Sequence, residues 1–362
     1  MSVLAAIAVL AILIVVHELG HFLAARLQGI HVNRFSIGFG PILWKYQGPE
    51  TEYAIRGFPL GGYVGFPDDD PSSNIPPDDP NLLRNRPLLD RAIVISAGVI
   101  ANLIFAYLLL VMQVATVGVP EFQYQPGVMV AEVISDTTPA YKAGLRAEDT
   151  IIMADGAEIG AGQKAMKSLI EIIQNNPNEA ISIAIQRNGE KRFLQITPEK
   201  SENGKGMIGV QLAPNGKGIR RRADNILQAF GAGAAEFERI AWLTASGFVQ
   251  LIRNFGETAD QVAGPVAIVA IGANIAKDDA ANLFQFASLI SINLAIINIL
   301  PLPALDGGQL AFLLIEGLRG KPVPTHIQDG VMQTGLMLLL GLGIFLIIRD
   351  TTQLEWVQKL FQ

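Results

Sequence analysis

His17, Glu18 and His21 stand as an H-E-x-x-H group inside an apolar stretch, Val3 to Leu27. Residues four apart share one face of a helix, so both imidazoles can reach a single divalent ion while Glu18 projects beside them toward water at that ion. This is the layout of a zinc hydrolase. The competing reading is a pair of core histidines satisfied by backbone carbonyls. It loses ground in hydrocarbon, where polar groups have no water to turn to and clustered ionisable residues mark function.

Those side chains need helices to carry them. Three further apolar stretches, Ile93 to Val117, Asn282 to Leu300 and Val331 to Ile348, each approach the roughly 20 residues required to cross about 30 Å of hydrocarbon. The chain of 362 residues, half of them apolar and 17% charged, therefore reads as a four-span membrane protein with a soluble part. The first stretch lacks a basic leading region and is too long for a secretory signal, so it is expected to stay attached. Ala223 to Phe255 sets Ile226, Phe230, Phe237, Ile240, Phe248 and Leu251 at helical spacing among charges, which predicts interfacial helices.

Depth brings a third ligand into reach. His17 lies 14 residues beyond Val3, roughly 21 Å along a helix, and is thus nearer the far face. The third span runs toward that same face, and the acid that closes it is Asp306. Lys and Arg concentrate there, at Arg34, Lys45, Arg56, Arg84, Arg86 and Arg91 and again at Arg319 and Lys321. The metal site is therefore expected toward the cytoplasmic side of an inner (plasma) membrane, with the insert between spans two and three outside the cytoplasm.

A formal charge of -6 offers no basic surface, and nucleic acid is not an expected partner. There is no cysteine, so any metal site must use nitrogen and oxygen.

Between Glu121 and Pro214 the pattern changes to short apolar runs, Val128 to Ile134, Thr150 to Met153, Ile181 to Gln186 and Phe193 to Ile196. Turn signals at Asp155-Gly156 and Asn188-Gly189 separate them, with a helix expected over Gly162 to Ile173. This is a small β-rich inserted domain.

The segment Asn298 to Gly308 reads N-I-L-P-L-P-A-L-D-G-G and resembles the N-x-x-P-x-P-x-L-D-G-G segment of site-2 proteases. With His17 to His21, the insert and the span order, the whole chain resembles an RseP-type intramembrane zinc metalloprotease. The resemblance implies a polytopic α-helical membrane protein with four transmembrane helices, a membrane-associated β-hairpin loop and an inserted PDZ (α+β) domain. The expected divisions are 1–118 for spans one and two with the β-rich loop, 119–215 for the PDZ domain, 216–281 for interfacial amphipathic helices, and 282–362 for spans three and four.

The implied site holds Zn2+ on His17, His21 and Asp306, with Glu18 moving the proton and Asn298 donating to the oxyanion. Asn298 also reads as interhelical glue, and Asp306 as a helix cap. Gly61, Gly62, Tyr63 and Val64 resemble the family's hairpin segment and are expected to bind substrate, against a purely structural hairpin. The expected partners are the bilayer, transmembrane segments of membrane proteins such as anti-sigma factors or signal-peptide remnants, and a peptide on the PDZ domain. An inactive PDZ-bearing scaffold is the alternative.

Gly127-Val128, Thr138-Pro139-Ala140, Ala143-Gly144-Leu145 and Asp149 follow the PDZ order, but Glu148 stands where a glycine is usual. The second span reads Gly98-Val99-Ile100-Ala101-Asn102, without the Gly-Pro that relatives often have. Asn102 is expected to bond across helices. His31 and His326 are expected at solvent or headgroups.

Overall fold

The computed structural model describes residues 2–70, 73–201, 203–258 and 262–352. The chain forms two compact units, one from Met1–Gly118 with Arg222–Gln362 and one from Val119–Arg221.

In the first unit, α1 (Ser2–Leu27) is followed by β1 (Arg34–Gln47), β2 (Glu52–Gly65) and α2 (Leu88–Thr116). The two strands are long enough to fold back on themselves. Arg34–Ile37 pairs in parallel with Glu52–Ile55 and antiparallel with Gly62–Gly65, while Lys45–Gln47 pairs antiparallel with Glu52–Ala54. Four short segments result, with 62–65 at one margin. Positive φ at Gly38, Gly40 and Gly61 makes the reversals, a conformation that side chains with a Cβ resist.

The second unit holds β3 (Val119–Val133), α3 (Pro139–Lys142), β4 (Thr150–Ala154), β5 (Ala157–Glu158), α4 (Gly162–Asn175), β6 (Ile181–Arg187), β7 (Glu190–Ile196), β8 (Glu199–Lys200), β9 (Gly206–Met207) and β10 (Val210–Arg221). Its main sheet runs β10-β3-β4-β6-β7. Helix α4 turns Ala165, Leu169 and Ile173 toward a core that includes Val128, Val130, Leu145, Ile151 and Ile185. Each Val, Leu or Ile among them contributes about 1.5–3 kcal/mol when fully buried. The expected boundary at 215 is corrected. Pairing of β3 with β10 continues to Val119↔Arg221, past a register shift between Pro214 and Gly216, so residues 216–221 are strand rather than helix. Proline and glycine at the shift imitate a strand end in the sequence.

Back in the first unit come α5 (Ile226–Arg253), α6 (Phe255–Thr258), α7 (Pro265–Asp278), α8 (Leu283–Ile299), α9 (Asp306–Arg319) and α10 (Thr325–Thr352). Among the described residues four helical segments are long and apolar enough to cross a membrane: Ser2–Leu27, Leu88–Thr116, Ala280–Ile299 and Thr325–Thr352. Lipid tails are as apolar as leucine, so close backbone approach and hydrogen bonds must hold such helices together. Ser288 and Ser291 on α8 donate to the carbonyls of Ala106 and Asn102 on α2, at 3.1 and 2.8 Å. Gly20 on α1 meets α2 so closely that a Cβ there would lie 2.5 Å from the Ala97 carbonyl oxygen. Helix α5 packs lengthwise on α2: Gly233 abuts Val111, and Tyr107 packs against Phe230 and Phe237. Of its apolar stripe, Phe237 and Ile240 pack with Ala106 and Leu110 of α2, while Ile226 stays exposed.

Candidate active site

α1 carries His17, Glu18 and His21, and α9 carries Asp306 at its first residue. The path from α8 to α9 explains that placement. Pro301, with no N–H to donate, follows the end of α8. Ala304 takes a positive φ of 68°, and Leu305 begins the turn into α9. Gly307 and Gly308 let the loop close on itself: a Cβ on either would lie 2.1 Å from the Leu300 oxygen or 2.4 Å from the Leu302 oxygen.

The three donor atoms form a nearly equilateral triangle. His17 Nε2 and His21 Nε2 are 3.2 Å apart, and Asp306 Oδ2 lies 3.3 Å from the first and 3.4 Å from the second. Three ligands of a tetrahedral ion with bonds of about 2.0–2.1 Å are separated by about 3.3 Å, so the residues present fit zinc. Asp306 Oδ2 is buried without an ordinary hydrogen-bond partner, as expected of an oxygen reserved for a cation. It makes no helix cap, and this cluster is the metal-type group found among the described residues.

The surroundings orient the ligands. His21 Nδ1 lies 2.8 Å from the Val94 carbonyl, an acceptor only, so that nitrogen carries the ring proton and Nε2 keeps its lone pair. Asn102 Nδ2 is 3.4 Å from His17 Nδ1, and Asn298 Nδ2 is 3.3 Å from His17 Nε2. Asn298 therefore points at the cluster rather than only bridging helices.

Of the four hairpin residues, Gly62 and Val64 meet Glu18. A Cβ on Gly62 would sit 2.9 Å from Glu18 Cγ, and the Val64 backbone lies beside the Glu18 carboxylate. The Val64 side chain packs with Ala25, Ile30, Val32 and Val94. Tyr63 turns to the opposite face, where its hydroxyl accepts from Arg56 at 3.2 Å. Gly61 lies against the Phe39 ring. His31 sits 3.7 Å from Asp79, and His326 lines a 640 Å³ apolar groove with Leu302, Pro303 and Gly335.

Sequence reasoning missed two features. Gly98 touches both imidazoles, and Arg91 of α2 pairs with Glu316 of α9 at 2.7 Å. The signal for the first was a small residue one turn before Asn102. The second pair, separated by 225 positions, left no local signal.

Residues 5–342 match a family described as peptidase family M50. A Nostoc sp. protein named as a zinc metalloprotease is 65% identical, with 100% of each chain covered. An Arabidopsis thaliana protein named as a chloroplastic membrane metalloprotease is 50% identical, covering 99% of this chain and 80% of that one. The regulator of sigma-W protease of Bacillus subtilis is 28% identical, with 99% of both covered.

Proposed function

We propose, from the premise that this chain belongs to peptidase family M50 and is a zinc metalloendopeptidase of the site-2 protease kind, that it cuts within transmembrane segments of single-span membrane proteins. The observation that carries this reading is the His17–His21–Asp306 triangle, with both histidines on a helix apolar and long enough to cross a membrane.

His17, His21 and Asp306 would hold the ion. Zinc bound there supplies Lewis acidity toward water and the scissile carbonyl. Glu18 takes a proton from the attacking water and delivers it to the leaving amine. Asn298 donates its amide N–H to the carbonyl oxygen as negative charge develops.

A substrate helix has every amide satisfied internally and must be unwound before attack. Segment 62–65 pairs with 34–37 on one side only among the described residues, and its backbone borders Glu18. An extended substrate adds to that free margin by strand pairing, with Gly61, Gly62, Tyr63 and Val64 as its binding segment. Exposed Phe39, Leu43, Trp44 and Phe58 support a hairpin seated in the bilayer interface.

The basic residues near span ends support a site toward the cytoplasm and a PDZ-like insert, binding a peptide, outside it. Substrates of this kind include anti-sigma factors and signal-peptide remnants, the former in keeping with the name of the Bacillus relative.

The test is to trap membrane partners on the Glu18→Gln chain and then offer each to the wild type. Single-span proteins cleaved within their spans are expected; trapped proteins cut only in soluble loops contradict the reading.

A further inference from the structure

We propose that Asn102 is a positioning residue that presents its side-chain carbonyl oxygen to Nδ1–H of His17 and so keeps the Nε2 lone pair available to the metal; the inference rests on the zinc reading above. Asn102 is 0% exposed, and its Nδ2 lies 3.4 Å from His17 Nδ1 while its Oδ1 has no partner. The amide oxygen and nitrogen exchange places by a half-turn of nearly equal shape, so their assignment follows from the hydrogen bonds required of them.

Two arrangements are possible for a neutral His17. With the proton on Nε2, the amide N–H donates to Nδ1, and the nitrogen facing Asp306 and His21 has no lone pair to offer. With the proton on Nδ1, Nε2 becomes a ligand, and an N–H group of Asn102 at that place would set two donors against each other. The turned amide replaces that clash with an N–H···O=C bond. Either orientation leaves one amide atom of Asn102 unmatched, so its own satisfaction does not choose between them; the ligand role of His17 does.

The neighbouring histidine supports the choice. His21 Nδ1 faces the Val94 carbonyl at 2.8 Å, so α2 already supplies an oxygen to one imidazole. Asn102 follows Val94 by eight residues, a little over two helical turns, and reaches the other. Its backbone is held in place, because Ser291 Oγ donates to the Asn102 carbonyl at 2.8 Å. Groups that orient metal-binding histidines in this way typically alter affinity about 10–100-fold when removed.

Zinc affinity of the full-length chain in detergent, measured against a competing chelator, tests the proposal with Asn102→Leu and Asn102→Asp. The leucine keeps the shape without an acceptor; the aspartate keeps oxygen acceptors and has no donor. Asn102→Leu should bind zinc about 10–100-fold more weakly, and Asn102→Asp should remain within a few-fold of wild type. Unchanged affinity in Asn102→Leu overturns the proposal. So does an equal loss in a folded Asn102→Asp, which decides the matter alone if the leucine variant does not fold. A wild-type chain that takes up no zinc removes the metal reading and this inference with it, whereas zinc-binding wild type with either contrary result removes only the inference.

Discussion

Gly98 lies against His21 so closely that a Cβ added to it would stand 2.3 Å from the Nε2 atom. The same Cβ would lie 2.7 Å from His17 Cε1, so α2 can support both imidazoles only because this position has no side chain. Gly98→Ala must push α1 and α2 apart or rotate the rings off their common point. A displacement of that order is expected to lower zinc affinity at least about tenfold, measured by chelator competition, with helix content unchanged.

The Arg91–Glu316 pair fixes α9, and thereby Asp306, relative to α2. Both side chains are largely shielded, at 18% and 17% exposure. Removing one partner leaves a poorly hydrated charge and should cost about 1–3 kcal/mol. A double-mutant cycle of Arg91→Met and Glu316→Gln in thermal unfolding should return a coupling of about 1 kcal/mol or more; strict additivity would mean that the ion pair does not brace α9.

In the inserted unit, Glu148 adopts φ +70°, the left-handed region that costs a residue with a Cβ about 1 kcal/mol. Glu148→Gly removes that strain at some cost in chain entropy. A net gain of about 0.5 kcal/mol is expected, read as slower hydrogen exchange across β4 and β6 in the full chain.

Asp149, fully buried, accepts from Arg187 Nε at 2.6 Å and Nη2 at 2.7 Å and from the Arg146 backbone at 2.8 Å. The hydrogen bond to Asp149 raises the Arg187 guanidinium above its usual range, against the opposing effect of burial. A raised basic group contributes stability that is fully present below its unfolded pKa and lost only as pH rises through the folded value. The Arg187 contribution should therefore stay constant from about pH 7 to 10. Arg187→Met should destabilise this unit by about 2–4 kcal/mol at either pH, and a deficit that vanishes at the alkaline end contradicts this.

The parts of the site readable in the sequence were those fixed by local spacing. His17 and His21 share a helical face because they are four apart, and Asp306 was reachable once span lengths set which face each helix end meets. Gly98 and the Arg91–Glu316 pair depend on how helices cross, which no local pattern records. The hairpin's fold-back was equally hidden, because Arg34–Ile37 pairs with two segments of β2 at once. For α5 the periodicity predicted interfacial helices, and the packing of Phe237 and Ile240 on α2 was hidden because an apolar stripe does not name the surface that covers it. At Pro214 and Gly216 a register shift inside a continuing strand was indistinguishable from its end.

The most direct measurement compares bound zinc with turnover of a synthetic transmembrane peptide for wild type, Glu18→Gln and Asp306→Asn. Glu18→Gln should retain zinc near wild-type stoichiometry while cleavage falls by about 10²-fold or more, and Asp306→Asn should lose both metal affinity and cleavage. Wild-type-like cleavage by Glu18→Gln, or undiminished zinc in Asp306→Asn, would contradict the account at its centre.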